Sequence, residues 1–198
     1  MGTTGVPLGS PFDIPDFTIS GALPPFLGIS PVAGALMSPF ATTLTRIAGK
    51  LCGSPARREI FKGLISYRQA LATIGMDNGF QWLSGSFMED IERLEARNPN
   101  DVDVVTFCHR PAGAKDDAAW RTFFGANIHL FDARMVKPVF KSDAYLVDLD
   151  TIPTNVVNQA RYWFGLFSHR RDGLWKGMLQ VPLAVTQDDS DASVMVGP

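Results

Sequence analysis

Asp101-Val102-Asp103-Val104-Val105-Thr106-Phe107 is the stretch that decides the fold. It is rich in β-branched residues, and Asn98-Pro99-Asn100 in front of it breaks any preceding helix, so it reads as a β-strand. Side chains alternate faces along a strand. Asp101 and Asp103 therefore project to one side together with Val105 and Phe107, while Val102 and Val104 project to the other. Two neighbouring carboxylates repel each other. A solvated strand face is the plain reading of such a pair; on a core-bound strand the pair asks for a cation instead.

The surroundings read as alternating elements. Upstream, Asn78-Gly79 marks a turn and Phe80 to Leu83 a short strand that ends in Ser84-Gly85-Ser86; a polar helix is expected from Phe87 to Arg97. Earlier still, Ser54 and Pro55 suit the cap and first turn of a helix. Its stripe is Ile60, Phe61, Leu64, Ile65, Leu71 and Ile74, with Arg57, Arg58, Lys62 and Arg68 largely off it, and Gly75 stops it. Downstream come a loop from His109 to Gly113, a helical stretch from Lys115 to Met135, a strand from Asp143 to Leu149 and a helix opened by Pro153. A last segment, Leu174 to Val185, is expected to close the sheet. Strands alternating with helices predict an α/β or α+β domain, a mixed sheet flanked by helices. Residues 54–186 are assigned to it, residues 1–53 to an extended Pro/Gly-rich arm with a short helix between Ala41 and Lys50, and residues 187–198 to a flexible acidic tail.

Composition narrows the class. The chain has 198 residues, 45% of them hydrophobic, which is enough for one core and excludes an intrinsically disordered chain. Cys52 and Cys108 are too few for a disulfide scaffold, and neither they nor His109, His129 and His169 show zinc-ligand spacing. The 18 Lys and Arg against 20 Asp and Glu leave no global basic field to drive the protein onto nucleic acid or membrane. Phe17 to Thr45 carries no charge, yet Pro24, Pro25, Pro31 and Pro39 interrupt it, and an interior proline costs a helix roughly 3 kcal/mol. Asp13 and Asp16 precede this run and no Lys or Arg does, which argues against a secretory signal. The expectation is a cytoplasmic protein with no membrane role, whose apolar arm wraps the domain, meets a protein partner or joins a homo-oligomer.

The chemistry gathers at the Gly-Ser turn and the acidic strand. Mg²⁺ is a hard cation usually held by one or two carboxylates together with substrate phosphates, which suits Asp101 and Asp103. Gly85 permits close backbone approach, and the nearby amides, the Ser86 hydroxyl and the N-terminus of the following helix offer a grip for phosphate oxygens.

Leu83-Ser84-Gly85-Ser86-Phe87 followed by Pro99 through Val105 resembles the signature of the nucleotidyltransferase (DNA polymerase β-like) superfamily. Adding Leu23-Pro24-Pro25, Arg57-Arg58, Arg171-Asp172-Gly173 and Lys176-Gly177, the chain resembles an uncharacterised bacterial and phage family of nucleotidyltransferase-like proteins. Residues 87–100, between Ser86 and Asp101, make a slightly longer gap than that superfamily's pattern. The resemblance implies transfer of an NMP from an NTP to a hydroxyl acceptor on a protein, an RNA or a small molecule. It implies two Mg²⁺ ions, or Mn²⁺ in their place, held by Asp101, Asp103 and a third carboxylate. Asp143 is preferred for the third, with Asp148 as the alternative. Gly85 and Ser86 would grip the phosphates, and Lys176 is a further candidate contact. Small members of the superfamily often serve in toxin–antitoxin or phage-defence systems. The competing reading is a non-catalytic binding or regulatory module of the same fold acting through its apolar arm.

Overall fold

A computed structural model describes residues 12–29 and 37–197. Among them, five strands form one mixed sheet: β1 (Phe40–Ala41), β2 (Gly79–Ser84), β3 (Val102–Cys108), β4 (Ser142–Asp148) and β5 (Leu179–Pro182). Their spatial order is β1-β5-β2-β3-β4. β1 runs parallel to β5 and β3 parallel to β4, while β2 is antiparallel to both β5 and β3. Seven α-helices accompany the sheet among the described residues, so the chain is an α+β protein with a mixed sheet flanked by helices.

The two faces of the sheet are covered unequally. On one face, Leu83, Val102, Val104, Ala144, Leu179 and Val181 pack beneath α1 (Leu44–Leu51), α2 (Pro55–Thr73), α5 (Ala133–Phe140) and α7 (Gln187–Val196). α2 begins as expected: the Ser54 hydroxyl accepts from the Arg57 N–H, Pro55 occupies the first turn, and Ile60, Phe61, Leu64, Ile65 and Leu71 are buried. On the opposite face, Trp82, Val105, Phe107 and Val147 meet Trp163 and Phe167 of α6 (Pro153–Phe167). α6 buries little besides those two aromatic side chains, and its Tyr162 is exposed.

Several expectations are corrected. The stretch from Lys115 to Met135 is not one helix. α4 (Asp117–Ala126), capped by Asp116, ends where the Asn127 amide turns back to the Phe123 carbonyl, and Asp132 caps the start of α5. The polar helix after the Gly-Ser turn is broken too. Phe87 and Met88 are drawn fully into the core, leaving a 3₁₀ turn (Ser86–Met88) and a short α3 (Ile91–Glu95). The segment from Leu174 to Val185 contributes only β5, which lies inside the sheet, between β1 and β2.

Residues from Gln187 form a helix, not a flexible tail. Thr186 and Asp189 close a capping box on α7, Ala192 and Val196 enter the core, and the buried Asp189 carboxylate accepts from Arg68 Nε at 2.8 Å. Asp188 accepts from the Leu44 and Thr45 N–H groups at the start of α1. Arg68, expected off the buried stripe of α2, is therefore inside, and so is Arg57.

The arm is integrated as well. β1 belongs to the sheet, α1 packs in the core, and Ile14, Ala22 and Leu23 are buried, so the division at residue 53 does not separate two structural units. Gly177 donates its N–H to the Leu23 carbonyl, and a Cβ at Gly177 would stand 2.3 Å from the Pro24 carbonyl oxygen, so only glycine admits this crossing. Of the apolar segment assigned to a partner surface, residues 30–36, including Pro31, lie outside the described residues. No helix among the described residues is long and apolar enough to cross a membrane.

Candidate functional site

Because α6 leaves one end of its sheet face open, a cleft of about 820 Å³ forms there. Its floor is set by strand register. Ser84 on β2 is opposite Asp103 on β3, and Asp103 is beside Asp143 on β4, so three polar side chains stand in one row across three strands. Asp101 lies two residues before Asp103, on the same side. The carboxylates of Asp101, Asp103 and Asp143, the Gly85-Ser86 turn and the end of α6 at Gly165 to Phe167 all line the cleft.

Gly85 is fitted to this floor. Its φ is +83°, a conformation that disfavours a side chain, and a Cβ there would lie 2.9 Å from Asp103 Oδ2. The turn thus lets its backbone sit directly against the carboxylate. Arg57 fixes the strand of chain beyond it, donating to the Phe87 and Glu89 carbonyls and pairing with Glu92. It acts from behind the cleft as a structural clamp, not as a ligand contact. The helix expected to present its N-terminus after Ser86 is only the 3₁₀ turn, so amides and the Ser86 hydroxyl are what this side has to offer an anion.

Charge in the cleft is crowded. Burial, and then the neighbouring charges of Asp101 and Asp143, push the Asp103 carboxyl up to about 6. The Lys137 ammonium, from α5, contacts Asp101 and stands 3.6 Å from Asp143. Its pairing with Asp101 holds that ammonium above the usual lysine range. The Tyr145 hydroxyl, whose ring lies tilted against Trp163, is pushed up to about 12, first by burial and then by Asp143.

A second charged group forms the opposite wall. Glu89 is buried and accepts from Lys176 Nζ at 2.5 Å, with Arg170 Nε at 4.0 Å. Lys176 therefore lines the cleft as expected of a contact residue, but its ammonium is engaged by Glu89. Arg97 and Arg171 complete the basic side.

The two candidates for the third carboxylate are separated in space. Asp143 lies beside Asp103, whereas Asp148 sits at the far end of β4, opposite Cys108 and paired with Arg110 at 2.7 Å. Cys108 is buried, and burial raises its thiol to about 11. His109 points to Asp150 instead, so no activated Cys-His pair forms there. Glu89 and Lys137 were missed in the sequence. Glu89 sits in a segment misread as helix, and Lys137 reaches the site only because α5 packs onto β4.

These residues suit a divalent cation by the chemistry of their donors: three carboxylates on one floor, crowded enough to push the Asp103 carboxyl up to about 6, with an ammonium already drawn to two of them. Among the described residues no three His, Cys, Asp or Glu side chains are gathered closely enough to form a ready cage; Asp101 and Asp143 share the Lys137 ammonium.

The fold and the cleft define a small α+β protein with an acidic floor and a basic wall at one end of its sheet. The chain belongs to a family of unknown function (DUF6932), whose model matches residues 15–182. No curated protein and no solved structure matches it.

Proposed function

We propose that the protein is a metal-dependent nucleotidyltransferase that moves an NMP from an NTP to a hydroxyl acceptor on a protein, an RNA or a small molecule. The observation that carries this reading is the contact between the Gly-Ser turn and the paired acids: Gly85 against Asp103, and Asp103 beside Asp143. The resemblance of these same residues to the nucleotidyltransferase signature supports it.

Asp101, Asp103 and Asp143 would hold Mg²⁺ or Mn²⁺. When bound, the metal supplies neutralisation of the triphosphate and a lowered pKa for the attacking hydroxyl. The Gly85 and Ser86 amides and the Ser86 hydroxyl, which line the cleft, would grip the β- and γ-phosphates. Arg170 and Arg171, on the far wall, supply positive charge for the remaining phosphate oxygens or for an anionic acceptor. The acceptor oxygen forms a bond to the α-phosphorus as the bond to the pyrophosphate oxygen breaks, and the hydroxyl proton leaves toward the Asp143 side. Little covalent chemistry is asked of the protein; positioning and charge do the rest.

Incubation with labelled NTPs, Mn²⁺ or Mg²⁺ and cell lysate tests the reading. Label should pass to protein, RNA or a small acceptor, and Asp101→Asn should lose it. A non-catalytic module is the second reading. It is favoured by one observation, that Lys137 and Lys176 already neutralise Asp101, Asp143 and Glu89 without any ion. Calorimetry with a non-hydrolysable NTP and Mg²⁺ separates the two: metal-dependent binding lost in Asp101→Asn supports the enzyme, and absence of nucleotide affinity overturns it.

A further inference from the structure

The ammonium of Lys137 holds the position that a cation shared by Asp101 and Asp143 needs, touching the first and standing 3.6 Å from the second. Three facts make it a removable occupant instead of a structural pin. Its side chain is 48% exposed while lining the cleft, so Lys137 is not locked in by packing. α5 is anchored by other means: Val136 is buried, the helix is capped at Asp132, and the Lys141 N–H closes its end on the Lys137 carbonyl, a backbone contact. Finally, only the Asp101 end of the pair is largely buried, at 15% exposure, so the lysine end can swing out to solvent while the carboxylate stays in the cleft.

Lys137 is also the sole cation the structure brings to Asp101 among the described residues, whereas Glu89 on the opposite wall has Lys176 and Arg170. The acidic floor is thus balanced by one long, flexible side chain, rooted in α5 just before the α5–β4 connection that leads to Asp143. Asp103, which Lys137 does not contact, faces Gly85.

We propose that Lys137 is a built-in counter-cation that competes with the divalent ion for Asp101 and Asp143, so that the ion binds only by displacing the lysine ammonium. The inference rests on the metal-dependent reading above. It gives the site a threshold: free divalent ion is held weakly while the ammonium stays in place.

Mn²⁺ binding to the purified protein, followed by electron paramagnetic resonance without nucleotide, is the test. Lys137→Met removes the charge and keeps most of the length, and should tighten Mn²⁺ by on the order of tenfold, the effect of deleting one nearby positive charge from a hydrated site. Lys137→Arg keeps the charge and should stay near the parent affinity. Asp101→Asn should abolish the binding in each background, which places the ion at this cleft. Unchanged or weaker Mn²⁺ binding in Lys137→Met, with the parent protein binding, overturns the competition and leaves the metal-dependent reading standing. No Mn²⁺ binding in the parent and in Lys137→Met alike overturns both. Thermal melts of the variants report that the fold is intact.

Discussion

Asp103 is a residue that the fold bears at a cost. Burial and two like charges raise its carboxyl from an ordinary 3.8 to about 6 in the folded chain, so the folded state binds a proton more readily than the unfolded one. The sign follows directly. Its contribution is most favourable below pH 4, declines between pH 4 and 6, and remains at its least favourable above that. Asp103→Asn removes the charge, so at pH 7.5 in metal-free buffer its melting temperature should exceed the parent's by about 3 °C or more, and the gain should fade toward pH 4. Thermal melts across that range check it, and a parent protein that is the more stable at pH 7.5 would contradict the argument. Sites tuned for binding charge commonly carry such a burden.

At the scale of elements, α7 is held by the buried pair of Arg68 and Asp189, with Arg68 also donating to Gln81 Oε1 and the Pro182 carbonyl. Asp189→Ala strands a buried guanidinium and removes half of the capping box, and should cost about 3–5 kcal/mol, read as a lower urea midpoint. This pair also marks where sequence reading stops. β3 and β4 were legible because alternation and β-branched residues are local signals, and α2 was legible from Ser54, Pro55 and its stripe. Arg68 and Asp189 are 121 positions apart, so neither carries a local sign of its partner, and the acidic run from Gln187 looked like a solvated end. The same holds in the cleft. The Gly-Ser turn and Asp101-Val102-Asp103 were visible as patterns. The placing of Asp143 beside Asp103 depends on the register of two parallel strands, and the reach of Lys137 on how α5 packs. Both arise only after folding.

For the molecule as a whole, the described part of the arm, from β1 through α1, is not an accessory. Leu44, Ile47 and Leu51 of α1 are almost fully buried, and β1 is hydrogen-bonded to β5. A chain starting at Ser54 should therefore lose its cooperative thermal transition, whereas an independent domain would keep it; circular dichroism distinguishes the two. The strand order has a further consequence for how the protein is made. β5 is the last strand to leave the ribosome, yet its place is between β1 and β2. Until residues 179–182 emerge, the nascent chain carries β2 with a bare edge and β1 with no neighbour to join. Completion of the sheet must wait for residues 179–182 to be translated, and over that interval the open edge is what a chaperone, or another nascent copy, would meet first.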